Sequence, residues 1–322
     1  MTAVIAADAF VEPGWGAVAD AFRTNFEDGK VGAACSVWRD GRPVVDLWGG
    51  LADPAGRPWA SDTIVIIFSC TKGVTAICAN RLIEEGRLDP DALVAAYWPE
   101  FAAHGKDRIT VRQALSHRAG LAALDADLTM DDLAAWDPVV AAIAAQAPSW
   151  EPGSAHGYHS RTFGWIVGEL IRRVTGLMPG TYLAEQLARP LGLELYLGVP
   201  DAVDPRVASL IPAANAAALD DFAASQPESL FARVMTGPSN LLHYDEAWNG
   251  RLLRAAQLPS SKLARKASAT APQPGSTVAS AAITAVTRRV ASAPRRPPRR
   301  RARRARPRSA GRRGARRPDR ST

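Results

Sequence analysis

The chain has 322 residues, 47% of them apolar, and a formal net charge of +7, so a substantial buried core is possible and size is not the constraint. The charge is divided: Lys262–Thr322 carries 19 Lys and Arg against one acid, Asp319, for a net of +18, whereas residues 1–261 carry a net of −11. All nine Trp, five Tyr and eight Phe lie at or before Trp248, which excludes the last 74 residues as a unit that folds by itself.

Cys35, Cys70 and Cys78 cannot all pair, and none has Cys-x-x-Cys spacing, so a reducing compartment is expected. Met1–Phe10 lacks a basic n-region and its apolar run is interrupted by Asp8, unlike a secretory signal. No apolar segment reaches the roughly 20 residues of a membrane-spanning helix. The body is therefore expected to be soluble, without a membrane partner, and cytoplasmic.

In chain order, residues 14–28 place Val18, Phe22 and Phe26 four apart, as an amphipathic helix does. Ala33–Arg39 and Pro43–Trp48 are strand-like runs around Asp40-Gly41, a strong hairpin-turn dipeptide. Thr63–Phe68 is almost wholly apolar and reads as strand-like; it leads into Ser69-Cys70-Thr71-Lys72. Val74, Ile77, Cys78 and Leu82 then recur at helical spacing until Gly86 supplies a stop. Ser69 is thus expected at a helix N-terminus. From Asp91 to about Leu195 the pattern is mainly helical, with an Ala-rich segment around 131–146 and an apolar-faced one over 163–175 closed by Gly176. Residues 196–261 read as long loops with short elements, and no internal repeat occurs.

A serine hydroxyl is a poor nucleophile until a base within hydrogen-bond reach takes its proton. Ser69 and Lys72, three apart on a helix, share a face, and a helix N-terminus adds a backbone N–H that can stabilise charge developing on a substrate carbonyl. Ser-x-x-Lys alone is a weak signal, because a solvated lysine is its ordinary reading. The context strengthens it: the match follows an apolar run and opens an apolar-faced helix, where the chemistry needs it.

Four segments carry a specific resemblance: Val45-Asp46-Leu47-Trp48-Gly49-Gly50, Phe68-Ser69-Cys70-Thr71-Lys72-Gly73, Tyr97-Trp98-Pro99-Glu100-Phe101 and Ile109 to Leu121. In this order they resemble the β-lactamase-related serine hydrolases, which include class C β-lactamases, D-alanyl-D-alanine peptidases and family VIII carboxylesterases. The match, from about Gly14 to Ser261, is most similar to the esterase branch. It implies an α/β fold with an antiparallel sheet and a helical subdomain. It also assigns Tyr158, in Tyr158-His159-Ser160, to the family's second motif as a proton carrier beside Lys72. A phenol can do this when a neighbouring ammonium favours the phenolate. Ser160 stands where the family pattern has Asn, which tilts the implied substrate from β-lactam toward ester. The third motif, Lys-Thr-Gly, His-x-Gly or Trp-x-Gly, does not occur beyond residue 261, and Trp48-Gly49-Gly50 precedes Ser69 and cannot be that strand.

His117 reads as a structural histidine in the Ser116–Leu121 turn, while His104, His156, His159 and His243 show no ligand pattern. No P-loop, His-Glu-x-x-His or dinucleotide-binding glycine pattern is present, so neither metal nor cofactor is expected. Arg295–Arg320 is a run that can bind nucleic acid without sequence preference. Its Arg, Ala, Pro and Gly excess is also what a shifted frame gives in a GC-rich coding sequence, and that reading is favoured. The expected organisation is a hydrolase domain over 1–261, lacking its C-terminal strands, and a disordered tail over 262–322. The expected function is hydrolysis of a small ester through an acyl-enzyme on Ser69, with Lys72 and Tyr158 as the relay. β-Lactamase or D-alanyl-peptidase activity on an amide is one alternative; an inactive, basic-tailed homologue is the other.

Overall fold

The computed structural model describes residues 5, 6, 9–210, 221, 222 and 224–235. Asp40 and Gly41 both adopt positive φ, 51° and 76°, the type I′ turn whose twist matches the strands it joins. It links β2 (Gly32–Arg39) to β3 (Arg42–Gly50) in an antiparallel hairpin with an irregularity between Val37 and Trp38. A two-residue strand not expected from the sequence, β1 (Phe10–Val11), pairs with the other edge of β3 through Phe10 and Asp46, giving the order β1-β3-β2. β3 is central and buried on both faces from Val44 to Gly49. Helix α1 (Gly16–Glu27) packs Ala19 and Phe22 with Val45 and Leu47, forming the smaller of two cores. At Gly50, φ is +80° and an added Cβ would lie 2.2 Å from the Val31 carbonyl oxygen, so only glycine fits this end of the hairpin.

Thr63–Phe68 does not form the expected strand. Only Ile64 makes a bridge, parallel to Val207, with the Ile64 N–H donating to Arg206 and the Ala208 N–H to Ile64. Thr63, Ile64 and Ile66 are buried, so the apolar run signals burial without a ladder: hydrophobicity is set by the surroundings, and pairing by whether a neighbour offers a matched edge. The segment is an extended connector that delivers the chain to α2 (Cys70–Glu84).

The larger core lies among helices. After α3 (Val94–Tyr97) and α4 (Val111–Leu115), the Ala-rich stretch forms two helices, α5 (Met130–Ala135) and α6 (Asp137–Ala145). They break at Trp136, φ +70°, because Pro138 lacks the N–H needed to continue the preceding turn and suits a new helix start instead. Helix α7 (Thr162–Thr175) ends at the left-handed Gly176 as the sequence suggests. α7 packs on α2, and Cys78, Ala79 and Leu82 share this core with Trp165, Ile166, Val167 and Leu170.

Two charged groups inside this body are fully partnered. Glu169 accepts from Arg172, Arg173 and the Trp136 indole N–H; burial raises its carboxyl pKa, but these donors outweigh burial and hold it below the usual carboxylate value. Lys106, fully buried, donates to the carbonyls of Ala103, Ala144 and Gln146 and so closes the C-terminal end of α6.

Beyond α7 come α8 (Pro179–Leu183), α9 (Arg189–Leu191), loops to residue 210 and α10 (Leu230–Met235). The remainder of the expected loop region and the whole Arg-rich stretch 262–322 lie outside the described residues. No described helix is long and apolar enough to cross a membrane.

Candidate active site

Ser69 occupies the N-cap of α2 as the sequence leads one to expect. The backbone turns sharply just before it, at Phe68, whose φ of +44° lies in the left-handed region that non-glycine residues seldom adopt. The turn converts the extended connector into the helix and leaves Ser69 at the surface. One helical turn on, Lys72 is buried at 9% exposure. Its Nζ donates to Ser69 Oγ at 3.2 Å and stands 4.9 Å from the centre of the Tyr158 ring. The three residues singled out in the sequence are therefore brought together.

Lys72 makes no ion pair with a carboxylate among the described residues. Burial pushes its pKa below the ordinary lysine value, and the neighbouring Tyr158 hydroxyl pulls it partly back. A buried ammonium with only hydroxyls for partners yields its proton more readily than a solvated one. An amine 3.2 Å from a serine hydroxyl with that bias can accept the serine proton.

Tyr158 lies on a loop far along the chain, and its placement depends on how that loop is anchored. Thr110 and Gln113 form a reciprocal capping box that starts α4, and the turn after α4 runs through His117, φ +60°, to Gly120, φ +77°. Residues 149–157 then lie along this turn: Ser149 N–H donates to Gly120, Gly153 N–H to Arg118 and Gly157 N–H to His117. Gly157 lies flat against Trp150; an added Cβ would stand 2.4 Å from the indole ring. Tyr158, 47% exposed, emerges from this framework beside Lys72.

Histidines buttress the loop. His159, 1% exposed, accepts the Leu121 N–H at Nε2 and faces the Gly157 carbonyl with Nδ1 at 2.6 Å, which assigns the proton to Nδ1. His117 accepts the His159 N–H at Nδ1, 3.1 Å, and its ring lies 5.2 Å from Tyr158, 5.8 Å from His156 and 4.9 Å from Phe163. Burial lowers both pKa values to about 4, helped at His117 by His159, His156 and Lys72 and partly offset at His159 by the Gly157 carbonyl. No local pattern signals this cluster, because His117 meets the 156–159 loop only once the chain folds back. Ser160 follows in a tight bend with its N–H on the Tyr158 carbonyl. No group of three His, Cys, Asp or Glu among the described residues could hold a metal ion.

The Beta-lactamase family model matches residues 7–311. The chain belongs to that family. The matched span reaches past Ser261, where the motif-by-motif resemblance ends. Among relatives of this beta-lactamase family chain, the esterase/beta-lactamase LipL of Mycobacterium tuberculosis is 42% identical over 204 residues, 62% of this chain and 47% of that protein. Esterase EstB of Burkholderia gladioli is 30% identical over 51% of this chain and 46% of its own length. The chain thus spans about half the length of these relatives. Among solved structures, a family VIII carboxylesterase is 42% identical with a TM-score of 0.66, covering 80% of this chain and 67% of that one. A penicillin-binding protein homologue from Caulobacter crescentus is 45% identical with a TM-score of 0.61, covering 66% and 57% respectively.

Proposed function

We propose that this protein is a serine hydrolase that cleaves small carboxylic esters through an acyl-enzyme on Ser69. The observation that carries the reading is the 3.2 Å approach of the buried Lys72 amine to the Ser69 hydroxyl. In the proposed reaction Ser69 Oγ attacks the ester carbonyl and its proton passes to neutral Lys72. The oxyanion that forms is stabilised by the Ser69 N–H at the start of α2. The tetrahedral intermediate collapses, the C–O bond to the alcohol breaks, and Tyr158 hands a proton from the Lys72 side to the departing oxygen. Water then attacks the acyl-Ser69 ester, loses its proton to the same relay, and releases the acid while Ser69 regains its hydrogen.

The preference for esters rests on Ser160 in place of the motif's Asn and on the similarity to proteins named as esterases. A second reading, β-lactam or D-alanyl-peptide turnover, is favoured by the similarity to the esterase/beta-lactamase and to the penicillin-binding protein homologue. Mass spectrometry of the protein after incubation with nitrophenyl acetate, a fluorophosphonate or penicillin separates the two. An ester-derived adduct on Ser69 is expected. An adduct from penicillin alone favours the second reading, and no adduct from any of the three overturns the hydrolase reading.

A further inference from the structure

Tyr158 is nearly half exposed, yet a proton relay needs its hydroxyl held close to Lys72. The restraint comes from His117, in the turn that follows α4. Its left-handed backbone, φ +60°, lets one residue present two acceptors to the same loop. The His117 carbonyl takes the Gly157 N–H at 3.1 Å, and His117 Nδ1 takes the His159 N–H at 3.1 Å. The residues immediately before and after Tyr158 are thus tied to a single residue. The imidazole also packs against the phenol, with ring centres 5.2 Å apart, and against Phe163 on α7 at 4.9 Å, so the bracket is seated on the rigid helical core. Burial keeps the ring unprotonated at neutral pH, which leaves Nδ1 able to accept.

We propose that His117 is a positioning residue for acylation of Ser69: by gripping Gly157 and His159 it fixes the Tyr158 hydroxyl beside Lys72. The inference rests on the hydrolase reading above and replaces the expectation that His117 serves only its own turn. It takes no proton from the serine and acts entirely through Tyr158.

Two substitutions separate the ring from the turn. His117→Gly keeps the left-handed backbone and the carbonyl that holds Gly157 but removes the Nδ1 acceptor, whereas His117→Asn tolerates the same backbone and offers Oδ1 from the equivalent position. The full-length protein is assayed for the rate of Ser69 acylation by nitrophenyl acetate, for amide deuterium exchange in the 156–160 peptide and for its urea midpoint. His104→Gly, at an exposed left-handed turn, serves as the control and leaves the acylation rate unchanged.

His117→Gly is expected to slow acylation by about tenfold to a hundredfold, the cost of a misplaced catalytic group, and to speed exchange at His159. His117→Asn is expected to recover most of both. An acylated wild type whose His117→Gly variant reacts at the same rate removes the positioning role alone. So does a His117→Asn variant no better than His117→Gly at equal urea midpoint. A wild type that yields no Ser69 adduct removes the hydrolase reading, and this inference with it.

Discussion

Lys72 Nζ meets Ser69 Oγ at 3.2 Å from inside the protein, buried to 9% exposure and with no carboxylate ion pair among the described residues. A charge held this way is costly to keep and easy to give up, which suits a base and does little for a fold. If Lys72 and Tyr158 work as one relay, Ser69→Ala abolishes acylation, while Lys72→Ala and Tyr158→Phe each slow it by about a hundredfold to ten-thousandfold. The double variant loses little more than the worse single one, since residues that act as a unit fail together. Stopped-flow acylation of all four proteins checks this, and a Tyr158→Phe variant near the full rate takes Tyr158 out of the relay.

The same burial predicts an opposite effect on stability. Lys72 has a lower pKa folded than unfolded, so the unfolded chain binds the extra proton. The penalty is therefore present in full below the folded pKa and disappears as pH rises toward the ordinary lysine value of about 10.5. Lys72→Met is expected to raise unfolding stability at pH 7 by about 0.5–2 kcal/mol while slowing acylation as much as Lys72→Ala does. It also lacks the gain on raising the pH that the native chain shows. Urea titrations at neutral and alkaline pH give the sign.

Lys106 supplies the contrast, a second buried lysine whose ammonium is satisfied by three backbone carbonyls. Lys106→Met strands those carbonyls, at about 1–3 kcal/mol for each acceptor left buried and unpaired. The thermal midpoint should fall sharply while the acylation rate of the folded fraction is unaffected. An unchanged midpoint means that the carbonyls find water.

Acid should destabilise the protein through the histidine cluster at the site. His117 and His159 titrate at about 4 when folded, below the usual value of 6.5. Their contribution is complete above about 6.5 and is lost as pH falls through about 4, because the unfolded chain takes up protons first. His159→Asn removes one proton from that dependence and, by leaving the Leu121 N–H unpaired, costs about 1–3 kcal/mol at neutral pH. A urea midpoint independent of pH between 7 and 4, in native protein free of other transitions, contradicts this account.

The three thiols should differ in reactivity. Cys70, beside the nucleophile, is exposed, Cys35 is half-buried, and burial pushes the Cys78 thiol up to about 12. Iodoacetamide is expected to modify Cys70 first and Cys78 only on unfolding. Because Cys70 adjoins Ser69, its modification should reduce acylation as well. Peptide mapping over time gives the order, and early labelling of Cys78 refutes it.

Local chemistry made much of this protein legible in its sequence. Asp40-Gly41 specifies a turn with two positive φ values, so the hairpin could be read from neighbours in the chain. The three-residue spacing of Ser69 and Lys72 places both on one face of a helix, so their meeting needed only the helix. Tyr158 was found by resemblance, since nothing local to it speaks of Lys72. Tertiary structure decided the rest. Thr63–Phe68 advertised burial, but only the position of Val207 determined that it would be a connector with one bridge. The Ala-rich stretch around 131–146 reads as one helical segment, yet it breaks at Trp136, whose indole reaches Glu169 on another helix. Nothing in the sequence around Lys106 points to its partners at the end of α6, where the carbonyls of Ala144 and Gln146 accept from its ammonium. In the local sequence His117 reads as a residue of its own turn, and its hold on the residues flanking Tyr158 exists because the chain returns to that turn. Periodicity and turn chemistry are properties of adjacent residues and are written in the sequence, whereas a buried polar group takes its meaning from partners that only folding supplies.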